Sequence, residues 1–235
     1  MQGLNTLHRI MIKEFVLNIL NHSKLVICSL FIFSGINNSI AAIPAEAEQV
    51  QASEVSFSAK DIVLNFQNEL LDVMKQGEAL SFQNRCKQLE LAILQSHDVI
   101  KSLRTIVGSK EWKRFTDEQR NQLTTVFTKF IVSTYASNFN EFSDESFVYV
   151  SEHTTKKGNV IVRSVLEIPN GKRKKVTFDY ALKKNAGDWK IYNIAADGVS
   201  DLATRRSEYR RILADKDGFN TLIAIINKKI DNYAK

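Results

Sequence analysis

From Ser58 to Asn140 the apolar residues of this chain recur every three or four positions, and from Phe147 to Ala196 they alternate. No other feature restricts the fold as much. The two spacings are the side-chain periods of the α-helix and the β-strand, so helices come first and strands later. In the first part Ser58 with Asp61 resembles a capping box, and Ile62, Phe66, Leu70 and Met74 follow at spacings of four, with Gly77 placed to end the helix. A second periodic stretch covers roughly 78–95, with Phe82, Leu89 and Ile93, and a third covers 97–107 and stops at Gly108. The clearest helix opens at Thr116, which makes a capping box with Gln119, while Asp117 and Glu118 suit the positive end of the helix dipole. Leu123, Phe127, Phe130, Thr134 and Tyr135 line one face of it, and Val126 and Ile131 widen that face, which predicts burial on a broad side.

In the second part, Phe147–Glu152, Asn159–Ile168, Lys174–Lys183 and Asp188–Ala196 read as strands. Val176, Phe178, Tyr180 and Leu182 share one face of the third strand, and Thr177, Asp179 and Ala181 share the other. The connections KKGN, PNGK and NAGD each pair Gly with Asn or Asp, as tight hairpin turns do. Four strands joined by three hairpins make an antiparallel meander. Two helices then close the chain, one from about Ser200 to Ala214 and one with Phe219, Leu222, Ile226, Ile230 and Tyr233 on a single stripe. The expectation is an α+β domain with helices on one face of a four-stranded sheet.

The N-terminus has a different composition. Lys13, His22 and Lys24 precede an apolar run from Leu25 to Ile36, shorter than the ~20 residues that span a bilayer. Ser39 and Ala41 suit cleavage after Ala41, so residues 1–41 read as a signal peptide, 42–57 as a flexible leader and 58–235 as one domain. Removal of Arg9, Lys13, Lys24 and Glu14 lowers the formal net charge from +6 to +4. Only Cys86, His97 and His153 remain of the cysteines and histidines. That excludes an internal disulfide and argues against a zinc site of the usual kind.

Several runs invite a functional reading. The basic run GKRKK, Gly171 to Lys175, suits an anionic surface or a solubilised hairpin tip. The run RRSEYRR suits a phosphate-holding rim or a solvated helix face with Arg205 and Glu208 three apart. His97-Asp98 is the natural acid–base pair, but adjacent residues on a helix diverge by ~100° and form no dyad by themselves. No G-x-S-x-G, P-loop or H-E-x-x-H motif occurs. What is abundant is aromatic surface. Phe127, Phe130, Tyr135, Phe139, Phe147, Phe178, Tyr180, Trp189 and Tyr192 all come from the helix and strands that should face one another.

The motifs LTTVFTKFIVSTYASNF, VTFDYAL, DWKIYNIAADGVS and RRSEYRRIL…DGFNTLI resemble those of the MlaC family, the periplasmic toluene-tolerance proteins, over roughly residues 58–233. SDLATRRSEY, GSKEWKRFTDEQ and YASNFNEFSDESF are most similar to its hopanoid-associated HpnM branch. The resemblance implies an α+β fold with an NTF2-like portion that encloses an apolar cavity. It also implies a non-enzymatic periplasmic carrier without cofactor or metal. Such a carrier shuttles phospholipid between an outer-membrane lipoprotein complex and an inner-membrane ABC transporter with an MCE-domain subunit. A hopanoid ligand is the alternative, and an NTF2-like enzyme a more distant one. A two-chain lipid gains about 0.8 kcal/mol per buried methylene, so its lining must be dry and apolar. The residues expected to line it are Phe127, Phe130, Phe178, Tyr180, Trp189, Ile191, Leu222 and Ile226, with Arg163, Lys174, Arg205 and Arg206 at the rim or a docking surface.

Overall fold

A computed structural model describes residues 57–169 and 175–234. The expected signal peptide, nearly all of the leader, and Lys174 with most of its basic run lie outside the described residues. The helical part comprises α1 (Ala59–Gln76), α2 (Phe82–Ser96), α3 (Val99–Val107), α4 (Ser109–Arg114) and α5 (Asp117–Asn138). The sheet follows as β1 (Ser146–Thr154), β2 (Val160–Glu167), β3 (Lys175–Asn185), β4 (Asp188–Ala196) and β5 (Val199–Ser200), and α6 (Asp201–Leu213) and α7 (Gly218–Tyr233) end the chain.

Both capping boxes form, Ser58 with Asp61 and Thr116 with Gln119. Asp98 is the N-cap of α3, its carboxylate accepting from the Lys101 N–H at 2.8 Å. Gly108, at φ +93°, ends α3 and also begins the short α4. A chain reversal at one glycine therefore joins two helices where the period predicts a single stop.

All strand pairs are antiparallel and neighbours in sequence are neighbours in the sheet. The sheet has five strands, where the alternation predicts four. Asp197 and Gly198 both take positive φ, +47° and +81°, the backbone of a two-residue hairpin. The chain therefore folds back as β5 against Ala195 and Ala196 before entering α6. Ala186-Gly187 makes the same kind of turn between β3 and β4.

Val160, Val162, Ser164 and Leu166 of β2 pair with Leu182, Tyr180, Phe178 and Val176 of β3 on the face that the helices cover. The opposite face carries Arg163, bidentate to Asp179 at 2.6 and 2.8 Å, and Lys175 on Glu167 at 2.7 Å. Helix α1 lies against β1, β2 and β4, α3 and α6 against β4, and α7 chiefly against α5 and α6. A cavity is the expectation between sheet and helices. In this structure that interface is closed, with Phe66, Leu70, Val162, Tyr180, Leu182 and Ile191 each at most 2% exposed within one core.

Candidate functional site

The densest aromatic packing follows a seam between the sheet and the helices. On the sheet, Phe147 and Phe178 are 6.1 Å apart between ring centroids, and Phe178 and Tyr180 are 6.0 Å apart. On the helices, Phe127 meets Phe130 at 6.2 Å and Tyr209 of α6 at 6.2 Å, and Phe130 meets Tyr233 of α7 at 6.1 Å. Tyr135, one turn along α5 from Phe130, packs on Phe66 at 5.2 Å and Phe139 at 5.8 Å. It packs against the one core that holds residues of both groups. Burial pushes the phenols of Tyr135, Tyr180 and Tyr209 above their ordinary range, so all three are neutral donors at any physiological pH.

Of the residues expected to line a cavity, Phe178, Tyr180 and Ile191 share the helix-covered sheet face. Phe127 and Phe130 belong to the helical group, where Leu222 and Ile226, both fully buried, come from the α7 helix that packs on α5. Trp189 stands apart. It pairs with Lys184 at the far end of the β3–β4 ladder, with the Lys184 ammonium 5.5 Å over its ring.

Among the three described basic residues, Arg163, Arg205 and Arg206, it is Arg205 that enters the seam. Its side chain is 15% exposed, its Nε donates to Asp201 at 2.7 Å, and its guanidinium lies 4.5 Å from the Phe130 ring centroid and 6.0 Å from that of Phe127. Burial opposes its charge. The Asp201 carboxylate, with Tyr209 and Tyr233 close by, outweighs that, and the group stays protonated. Arg206 is exposed, and Arg163 lies on the far face of the sheet, held by Asp179.

The seam also holds polar atoms that the apolar pattern hides. Gln67 of α1, next to Phe66, is 1% exposed and faces the Tyr180 phenol, yet its amide makes no hydrogen bond among the described residues. Ser164 and Tyr209 are fully buried, and their hydroxyls are likewise without a partner there. Sequence reasoning missed Gln67, Ser164 and Tyr209 as site residues, although two of the signals were present. Gln67 is four residues after buried Val63, and Ser164 occupies the inward register between Val162 and Leu166.

The His97-Asp98 pair is not a catalytic dyad. His97 Nδ1 meets Ser96 Oγ at 2.8 Å, and its ring sits edge-on to Phe66 at 4.8 Å. Burial, with Lys190 nearby, lowers its pKa to about 3, so it is neutral at pH 7. Asp98 points elsewhere, capping α3 and accepting from Asn185 at 3.1 Å. Among the described residues, clefts open outside the seam. One, of about 370 Å³, lies between α6 and α7 and is bridged by Lys229 and Glu208. The other, of about 720 Å³, lies between the α3–α4 and α6–α7 junctions.

Comparison with known proteins gives the lineage of this arrangement. The family model described as MlaC protein matches residues 65–228. A solved structure similar to this chain is that of a phospholipid-binding protein from Ralstonia solanacearum in complex with a phospholipid. It superposes with a TM-score of 0.66 at 21% identity, covering 76% of this chain and 100% of that one. At that identity the likeness is one of fold.

Proposed function

This chain belongs to the MlaC family, and from that premise we propose that it is a periplasmic phospholipid carrier, a binding protein and not an enzyme. The acyl chains enter the seam between the sheet and helices α1, α5 and α6. The observation that carries this reading is the seam itself, a continuous and mostly aromatic and aliphatic set of side chains contributed by three layers of a fold shared with a phospholipid-binding protein. Because the interface is closed by packing, the lipid has to part it. Exposing acyl chains to water costs about 0.8 kcal/mol per methylene, so the opened seam has to cover both chains for the lipid to leave a membrane. Phe127, Phe130, Phe178, Tyr180 and Ile191 then line the opened space, with Leu222 and Ile226 behind α5, and Trp189 at the remote end.

In this reading the protein is exported by cleavage after Ala41 and is the soluble component of an Mla-type system. It shuttles lipid between an outer-membrane lipoprotein complex and an inner-membrane ABC transporter with an MCE-domain subunit. The exposed cations Arg206 and Arg163, together with Lys174, belong to its docking surface.

Organic-solvent extraction of the protein purified from the periplasm, followed by mass spectrometry, tests the proposal. Stoichiometric phospholipid is the expected result. Protein that is repeatedly lipid-free and takes no labelled phospholipid from vesicles overturns it. A hopanoid in place of phospholipid would assign the chain to the HpnM branch by ligand as well as by motif.

A further inference from the structure

Arg205 is a cation with unspent donors in an apolar setting. Of its five guanidinium N–H groups only the one on Nε is used, by Asp201; Nη1 and Nη2 make no hydrogen bond among the described residues. The guanidinium plane is fixed by its contacts with Phe130 and Phe127, and its side chain keeps only 15% exposure. A second donor points to the same place. Tyr209, one turn further along α6, lies beside the guanidinium with its hydroxyl fully buried and unpartnered among the described residues. A buried donor left without an acceptor, as the Tyr209 hydroxyl is, is rare in folded proteins, and beside the unspent, partly exposed Nη edge of Arg205 it points to an acceptor with several oxygens. A structural arginine that only pairs with Asp201 needs neither the free Nη edge nor the phenol.

We propose that Arg205 and Tyr209 form a phosphate subsite, in which the Nη edge and the phenolic O–H hold the phosphodiester of a lipid whose tails lie in the adjoining seam. The assignment rests on the carrier reading above and adds a headgroup requirement to it. Arginine's planar fork matches two phosphate oxygens, and the apolar surroundings strengthen the pairing. Asp201 is then a competitor. It is half exposed and holds the guanidinium through Nε, placing a negative charge beside the incoming anion.

The test compares uptake of two labelled lipids with identical acyl chains, phosphatidylglycerol from vesicles and diacylglycerol from a detergent dispersion, and adds inorganic phosphate as a third probe. The wild-type protein should favour phosphatidylglycerol by on the order of tenfold or more, the value of a charge-assisted hydrogen-bonded pair. Arg205→Gln should bring the ratio of the two lipids close to one. Asp201→Asn, at a half-exposed residue whose amide oxygen can still accept from Nε, should lose some stability but raise phosphatidylglycerol affinity severalfold, since one competing charge is gone. A structural ion pair predicts no gain, so this variant keeps the idea testable if Arg205→Gln is unstable. An unchanged lipid ratio in Arg205→Gln, or weaker phosphatidylglycerol binding in Asp201→Asn, overturns the subsite and leaves the carrier reading intact. Refusal of both lipids by the wild-type protein overturns the carrier reading instead. Inorganic phosphate that binds alone, depends on Arg205 and does not compete with phosphatidylglycerol overturns the assignment to a lipid phosphate.

Discussion

The backbone N–H of Asp98, at the start of α3, donates to the carbonyl of Ile191 in β4 at 2.8 Å. With the parallel bridge between His97 and Ile191, it fastens the α2–α3 junction to the sheet. The fastening is extended by side chains. Ser102 Oγ meets the carbonyl of Tyr192, the extra residue of a β-bulge in β4, at 2.8 Å, and Asp98 reaches Asn185 of the β3–β4 hairpin. One aspartate therefore caps a helix and ties it to a turn. Asp98→Ala should destabilise the protein by about 1–2 kcal/mol, as N-cap removal does. Ser102→Ala should cost about 1 kcal/mol by leaving the bulge carbonyl unmatched. Urea unfolding measures both, and the two losses should fall short of additive in the double variant because they share one junction.

Two glycines should respond differently to alanine. A Cβ on Gly218, at the start of α7, would lie 2.4 Å from the Ile212 carbonyl oxygen and 2.7 Å from Leu213 Cα, both backbone atoms at the end of α6. Gly218→Ala has to push the two helices apart and should cost about 2 kcal/mol or more. Gly187, in the β3–β4 turn, meets nothing within 4 Å, but its φ is +97°. Gly187→Ala pays only the backbone term, about 1 kcal/mol. A smaller loss at Gly218 than at Gly187, by thermal or urea unfolding, would contradict the close approach of α6 and α7.

His97 should make stability depend on pH. Its pKa is about 3 in the fold and 6.5 when unfolded, so between those values the unfolded chain binds more protons. Stability therefore falls as pH drops through 6.5, by up to about 1.4 kcal/mol per pH unit, and the loss levels off only below pH 3. Carboxylates titrate in the same window, so the informative quantity is the difference between wild type and His97→Gln. Urea midpoints at pH 7.5 and 4.5 should converge for the variant relative to wild type. An identical pH slope in both proteins would mean that His97 is not held neutral.

Most of the architecture is legible in the sequence because it follows from local signals. The two capping boxes, the Gly158 and Ala186-Gly187 turns and the alternation in Lys175–Asn185 each need only a few neighbouring residues. The hairpin at Asp197-Gly198 carries the same kind of turn signal, yet β5 is only two residues long, too short for alternation to register. The site is less legible, because its geometry is made by contacts between distant elements. Arg205 and Arg206 are indistinguishable in RRSEYRR. Only the approach of α5 puts Phe127 and Phe130 beside the first and leaves the second in solvent. Trp189 looks like the best aromatic anchor in its strand, but the β3–β4 register carries it to the end away from Phe178.

Gln67 and Ser164 offer the sharpest separation of stability from function. Both are buried without a hydrogen-bond partner among the described residues, on facing layers of the seam and close to Tyr180 in register or contact. Such groups cost about 1–3 kcal/mol each when they find no acceptor or donor, and a chain selected for stability alone would replace them with apolar side chains. If the seam opens to admit a lipid, these groups meet the polar glycerol ester region or water that enters with it. Gln67→Leu and Ser164→Ala should then raise the urea midpoint, each by about 1 kcal/mol in stability, and slow lipid uptake from vesicles by holding the seam shut. The signs should be opposite in the two assays. Variants that are both less stable and slower would show that Gln67 and Ser164 already have partners in the closed fold. Variants that are more stable and equally fast would place lipid entry elsewhere than between α1 and the sheet.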